Sequence, residues 1–231
     1  MDGYYSSVFQ LSPAMDGEWN YTVISIAPTS ILDNFVFDSS GNLYGMGING
    51  GHKGNGYIGE LIAGRGGSWH PRLIHLFWGG QDGGYPYGGL SFDPISGNLF
   101  GAATGNGGGQ TAMSTVFQLT PGINGKWNYD LIYRFCCYDQ PYGNVLVNSS
   151  DDLYGTTFQG GINRWGVVFE LKRGLDGTWV ESDIYDFTGG LDGGSPQAGL
   201  VRDSSGNLYG TTRSGGESQY WGNVFEFVDD K

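Results

Sequence analysis

Three aspartates, three histidines and a set of aromatic residues are the side chains of this sequence whose types and spacing could do chemistry. Asp82 and Asp192 sit in matched Gly-Gly-x-Asp-Gly-Gly stretches, and Asp139 closes the run Cys136-Cys137-Tyr138-Asp139. One hard oxygen from each aspartate falls short of the 6–8 that calcium takes. The competing reading is a turn in which Asp caps the backbone and the glycines take positive φ. His52 is the histidine expected in a loop. His70 and His75 are an odd step apart in a strand-like run, which predicts opposite sides of that strand. No His-Glu-x-x-His, Cys-x-x-Cys, phosphate loop, dinucleotide fingerprint or Gly-x-Ser-x-Gly elbow occurs. No metal site is therefore expected and no catalytic residue can be named. Adjacent Cys136 and Cys137 cannot staple distant segments; they form a vicinal disulfide or stay two thiols.

What these residue types do suit is a glycan. Aromatic planes stack on sugar C–H faces, while amides and charged groups bond hydroxyls. The candidate contact residues are Trp78, Asp82, Tyr85, Tyr138, Asp139, Arg164, Trp165, Tyr220, Trp221 and His52. The same aromatics are large enough to serve instead as covers for seams between packed units.

The elements that position them come from a repeat. Gly41-Asn42-Leu43-Tyr44-Gly45 returns as Gly97-Asn98-Leu99-Phe100-Gly101, as Asp151-Asp152-Leu153-Tyr154-Gly155 and as Gly206-Asn207-Leu208-Tyr209-Gly210. The spacing is roughly 55 residues, somewhat longer than propeller-blade repeats of about 40–50. Val8-Phe9-Gln10-Leu11 is echoed at 58–61, 116–119, 168–171 and 224–227, and a lone tryptophan follows a glycine turn at Trp19, Trp69, Trp127 and Trp179. Each unit reads as four short strands, A to D, exemplified by 199–203, 207–212, 167–171 and 179–187. They are β-type runs bounded by Gly, Asn, Asp and Ser. The A–B link Asp-Ser-Ser-Gly-Asn is a hairpin turn with an aspartate bonding backbone two residues on.

Four-stranded antiparallel units in series predict an all-β fold, a β-propeller in one domain. The units run approximately over 1–51, 52–108, 109–161 and 162–216, with a closing strand at 217–231. The chain begins at a C strand and ends after A, B and C. Four blades, closed by joining N- and C-terminal strands in one sheet, are favoured over five blades and over a chain cut from a longer array, and one C strand is then surplus. The B–C and D–A loops, which vary most, form the expected functional face.

Composition agrees. Glycine supplies 44 of 231 residues, against about 7% in average proteins, and marks many tight turns. Aromatics at 15% supply apolar area to bury. The net charge of -12 repels a phosphate backbone and excludes nucleic acid as a partner. No apolar run is long enough to insert in a membrane. The opening MDGYYSS lacks the pattern of an export signal.

The succession Gly-Asn-Leu-Tyr-Gly-Thr-Thr, Gly-Gly, Val-Phe-Glu-Leu, Gly-x-Trp and Gly-Gly-x-Asp-Gly resembles the GloVer tandem-repeat family of bacterial proteins, best over 153–227. The A–B hairpin also resembles that of NHL-type propellers. The family resemblance implies an extracellular or cell-envelope location and carries over no catalytic residue. The function expected is therefore non-catalytic: binding of a carbohydrate, a small molecule or a cell-surface partner through the B–C and D–A loops, with no cofactor, calcium at the Asp82 and Asp192 loops being the alternative. The alternatives are a polysaccharide lyase or hydrolase at the channel mouth, built from His52 or Arg164 with Asp82, Asp139 or Asp192, and a structural module of a surface protein.

Overall fold

A computed structural model describes residues 6–27, 34–51, 53–105, 113–135, 139–148, 150–217 and 221–228. Its strands form five sheets in chain order, each with antiparallel neighbours. The first holds β1 (Ser6–Pro13) and β2 (Trp19–Ala27). The second holds β3 (Val36–Phe37), β4 (Leu43–Gly47), β5 (Tyr57–Ala63) and β6 (Trp69–Leu76). The third holds β7 (Ser91–Phe92), β8 (Leu99–Ala103), β9 (Thr115–Pro121) and β10 (Trp127–Arg134). The fourth holds β11 (Leu146–Val147), β12 (Leu153–Thr156), β13 (Val167–Arg173) and β14 (Trp179–Asp186). The fifth holds β15 (Val201–Arg202), β16 (Leu208–Thr211) and β17 (Val224–Phe227). Among the described residues no helix is long and apolar enough to cross a membrane.

The A–B turns form as their sequence predicts. Asp38 and Asp203 each accept the backbone N–H two and four residues on, at 2.8–2.9 Å, with Gly41 and Gly206 at positive φ. Asn148 does the same in the fourth sheet, where Asp151 holds a φ of 64° in the glycine's place.

Successive sheets pack face to face, so the second, third and fourth each meet the sheet before and the sheet after. Core clusters fill the seams: Val8 with Leu43 and Leu61, Ile58 with Leu99 and Phe117, Val116 with Leu153 and Phe169, Val168 with Leu200 and Leu208. The B strands β4, β8 and β12 are covered on both sides and buried at every position. Their central glycine is a packing requirement. A Cβ on Gly101 or Gly155 would lie 2.5 Å from the Phe117 ring or 2.4 Å from the Phe169 ring on the paired C strand. Where β5 carries Gly59 instead, Phe35 fills the space over Gly45.

A recurring β-bulge corrects one sequence expectation. In the second sheet the register shifts between Ile58 and Gly59, so His75 pairs with Ile58 and His70 with Ile62. Ile58 and Ile62 share a face of β5, and so His70 and His75 lie on the same side, not on opposite sides.

Among the described residues the first and last strands do not share a sheet. β1 and β2 pair with each other alone, β17 takes the edge of β16, and no strand among the described residues closes the ends into a ring. The C strands differ in the acceptor they set opposite the B strand. The Tyr44 hydroxyl lies 2.9 Å from Asp38 and 3.2 Å from Glu60, Tyr154 donates to Glu170 at 2.8 Å and Tyr209 to Glu226 at 2.7 Å. Where the B strand has Phe100, the C strand opposite has Gln118. β1 carries Gln10 at this position and β17 carries Glu226, so β17 offers the carboxylate that matches Tyr209. The surplus C strand is thus part of a separate sheet.

Candidate ligand-binding face

The two Gly-Gly-x-Asp-Gly-Gly loops are built around their own aspartates. Asp192 accepts the Thr188 N–H at 2.8 Å, the Thr188 hydroxyl, and the Tyr185 hydroxyl at 3.1 Å. Burial pushes its carboxyl up, but these hydrogen bonds outweigh it and hold the group below the usual range. Asp82 accepts the Trp78 N–H at 2.9 Å, and its backbone carbonyl accepts the Tyr129 hydroxyl at 2.8 Å. His75 stands 3.6 Å from the Asp82 carboxylate and stacks on Tyr129 with ring centroids 4.0 Å apart. Burial lowers the His75 pKa and Asp82 opposes that. The aspartates cap turns, and His75 fills the seam between the second and third sheets. Among the described residues no group of three or more His, Cys, Asp or Glu could hold a metal ion.

The remaining candidates are dispersed. Trp165 lies over the glycines of the Asp192 loop: a Cβ on Gly189 would be 2.4 Å from its ring. Its carbonyl also accepts the Ser195 N–H at 2.6 Å. Here the aromatic covers a loop, and Asn55 fills the same role over Gly79 and Gly84. Tyr85 is half-buried at a φ of 51°, with its carbonyl accepting the Thr104 hydroxyl at 2.7 Å. Asp139 accepts the Gly161 N–H at 3.3 Å and its carboxyl is raised by burial, with Asp183 and Asp186 adding to the rise. Trp78, Arg164 and Trp221 are exposed. His52, Tyr138 and Tyr220, like Cys136 and Cys137, lie outside the described residues.

The aromatic cluster that does assemble uses residues absent from that set. Tyr87 meets Tyr142 with ring centroids 5.0 Å apart, Tyr142 meets Phe158 at 5.1 Å, and the Arg213 guanidinium stands 5.8 Å from the centre of the Phe158 ring. The four come from different loops: β6–β7, β10–β11, β12–β13 and β16–β17. Glycines bring these loops together. A Cβ on Gly88 would be 2.4 Å from the Gly143 carbonyl, and one on Gly143 would be 2.5 Å from the Gly199 nitrogen. Successive D–A loops therefore touch backbone to backbone. Phe158 is fixed by its N–H to the Gln140 carbonyl at 2.7 Å and by the neighbouring Pro141–Thr157 bridge. Burial raises the Tyr142 hydroxyl pKa, Tyr87 adds to the rise and Arg213 opposes it. The signal in the sequence was the echoed phrase Pro86-Tyr87-Gly88 and Pro141-Tyr142-Gly143.

Residues 104–231, more than half of the chain, match the Gloeobacter/Verrucomicrobia repeat. The chain belongs to that repeat family. The family's matched segment holds Tyr142, Phe158 and Arg213; Tyr87 precedes it. No curated protein matches the chain. Among solved structures, a protein of unknown function from Dyadobacter fermentans DSM 18053 is similar at 12% identity and a TM-score of 0.55, with 96% of this chain and 71% of that one covered. Trypanosoma rangeli sialidase is similar at 10% identity and a TM-score of 0.50, with 97% of this chain covered. This member of the repeat family spans only 41% of the sialidase. Identities this low carry the fold alone.

Proposed function

We propose that this repeat-family chain is a non-catalytic carbohydrate-binding protein whose sheets are the blades of a propeller-type array. The binding platform is the Tyr87–Tyr142–Phe158 ladder with Arg213 at its end. The observation that carries this reading is the ladder itself. Three rings from three separate loops meet on the B–C and D–A side, and Tyr87 is 41% exposed. The exposed Tyr87 ring at one end of the ladder and the exposed Arg213 guanidinium at the other suit the C–H faces and hydroxyls of a sugar. The family resemblance supports an extracellular or envelope setting for such a partner.

The test is a glycan array followed by calorimetric titration of any ligand it finds. Tyr142→Ala and Arg213→Ala should each weaken binding by about tenfold or more, a loss of about 1.4 kcal/mol. Trp165→Ala, which alters a loop cover, should bind within about threefold of the parent. An array without binding, or a ligand indifferent to both ladder substitutions, rejects the proposal.

A further inference from the structure

The two ends of the array expose what its interior buries. In the first sheet, Phe9 and Leu11 are 53% and 51% exposed. Their repeat equivalents Phe117, Leu119, Phe169 and Leu171 are 0–1% exposed, because the preceding sheet covers them. Trp19 and Tyr21 extend this face, at 64% and 60% exposed. In the fifth sheet, Val224 is 80% exposed, whereas its equivalents Ile58, Val116 and Val168 are completely buried by the sheet that follows each. The open faces of the first and fifth sheets carry large exposed apolar side chains, and contiguous patches of this kind mark interaction sites.

The occupant is written in the seams already made. The open face of the fifth sheet carries Tyr209, Val224 and Glu226, the set that Tyr44, Ile58 and Glu60 form in the second sheet, where Tyr44 and Ile58 pack against the third. Trp127 receives Tyr44 edge-on, with ring centroids 5.5 Å apart at 75°. Trp19 is the repeat equivalent of Trp127 and stands on the open face of the first sheet. Each end is therefore one half of an interface whose other half is the opposite end of the same chain. We propose that the protein associates head-to-tail with a second copy of itself, the Tyr209–Val224 face of one copy seating on the Phe9–Leu11–Trp19 face of the next. Such a contact is heterologous, so it leaves one end open on each outer copy and allows further addition.

Sedimentation of the full chain over a range of concentrations tests this. The parent should associate as concentration rises. Leu11→Glu blocks one face and Val224→Glu the other. Both positions are solvent-facing, and circular dichroism with a thermal melt verifies that each variant folds like the parent. Each alone should be monomeric, with self-affinity reduced at least about tenfold. Mixed together, they should form a 1:1 dimer, since each retains the face that the other lacks. A parent that stays monomeric throughout, variants that still self-associate, or a mixture that stays monomeric overturns the proposal. The first of these outcomes assigns the two faces to closure within one chain, and self-association retained by one variant alone assigns a like-with-like contact through the face it keeps.

Discussion

Replacing Gly155 by alanine isolates the packing that holds a B strand to its C strand. Gly155 pairs directly with Phe169, and its backbone is not among those at positive φ, so its lack of a side chain is the only relevant property. The added Cβ would stand 2.4 Å and 2.7 Å from two carbons of the Phe169 ring. Carbon contacts are most favourable at about 3.5–4.0 Å, so the overlap exceeds about 1 Å. The ring cannot step aside, because Phe169 is fully buried and Phe135 stands edge-on to it at 5.0 Å. Overpacking of this kind costs about 1–3 kcal/mol. For a chain of this length each kcal/mol lowers the melting temperature by about 2–4 °C, so a central cost of about 2 kcal/mol predicts a fall of about 4–8 °C. The assay is thermal and urea unfolding of Gly155→Ala, Phe169→Leu and the double variant. The double variant should be more stable than the sum of the single losses by about 1 kcal/mol, since the smaller side chain makes room for the new methyl. An unchanged melting temperature for Gly155→Ala, or strict additivity, would refute the reasoning.

Asp151→Gly should stabilise the chain by about 0.5–1 kcal/mol, because Asp151 holds a φ of 64° where the other A–B turns use glycine; urea unfolding reads this directly. Stability should also fall as pH rises from about 4.5 to 7. Burial first, and then the neighbouring Asp183 carboxylate, lift the Glu181 pKa to about 7. Folded Glu181 therefore holds its proton more tightly than the unfolded residue does, and that advantage is complete below the unfolded pKa and lost through the folded one. Discounted for its solvent exposure, the effect is about 1–2 kcal/mol. Glu181→Gln should flatten the pH dependence of urea unfolding across this window; an unaltered slope would contradict the assignment.

The strands were legible because the repeat marks them. Leu208-Tyr209-Gly210 announces β16, and the Asp203 cap falls where its turn phrase puts it. The seams were legible only in part. That Trp127 covers Tyr44 follows from large aromatics needing cover, but the side of a strand on which His75 lies depends on a bulge that no single residue signals. The termini misled for a chemical reason. Val8-Phe9-Gln10-Leu11 and Val224-Phe225-Glu226-Phe227 look interchangeable until the register sets Glu226 opposite Tyr209. The site was hardest to read because Tyr87, Tyr142, Phe158 and Arg213 are far apart in sequence. Nothing local says that Gly88, Gly143 and Gly199 bring their loops into contact. Trp165, chosen for its type, covers glycines instead.

The claim that the ladder is a sugar platform is tested most directly by saturation-transfer NMR of the full chain with an oligosaccharide mixture. Irradiating aromatic protein protons should transfer saturation to sugar ring C–H protons, and Tyr142→Ala should abolish the transfer while leaving the protein spectrum folded. Transfer that persists unchanged in Tyr142→Ala, or no transfer from any oligosaccharide, would contradict the account.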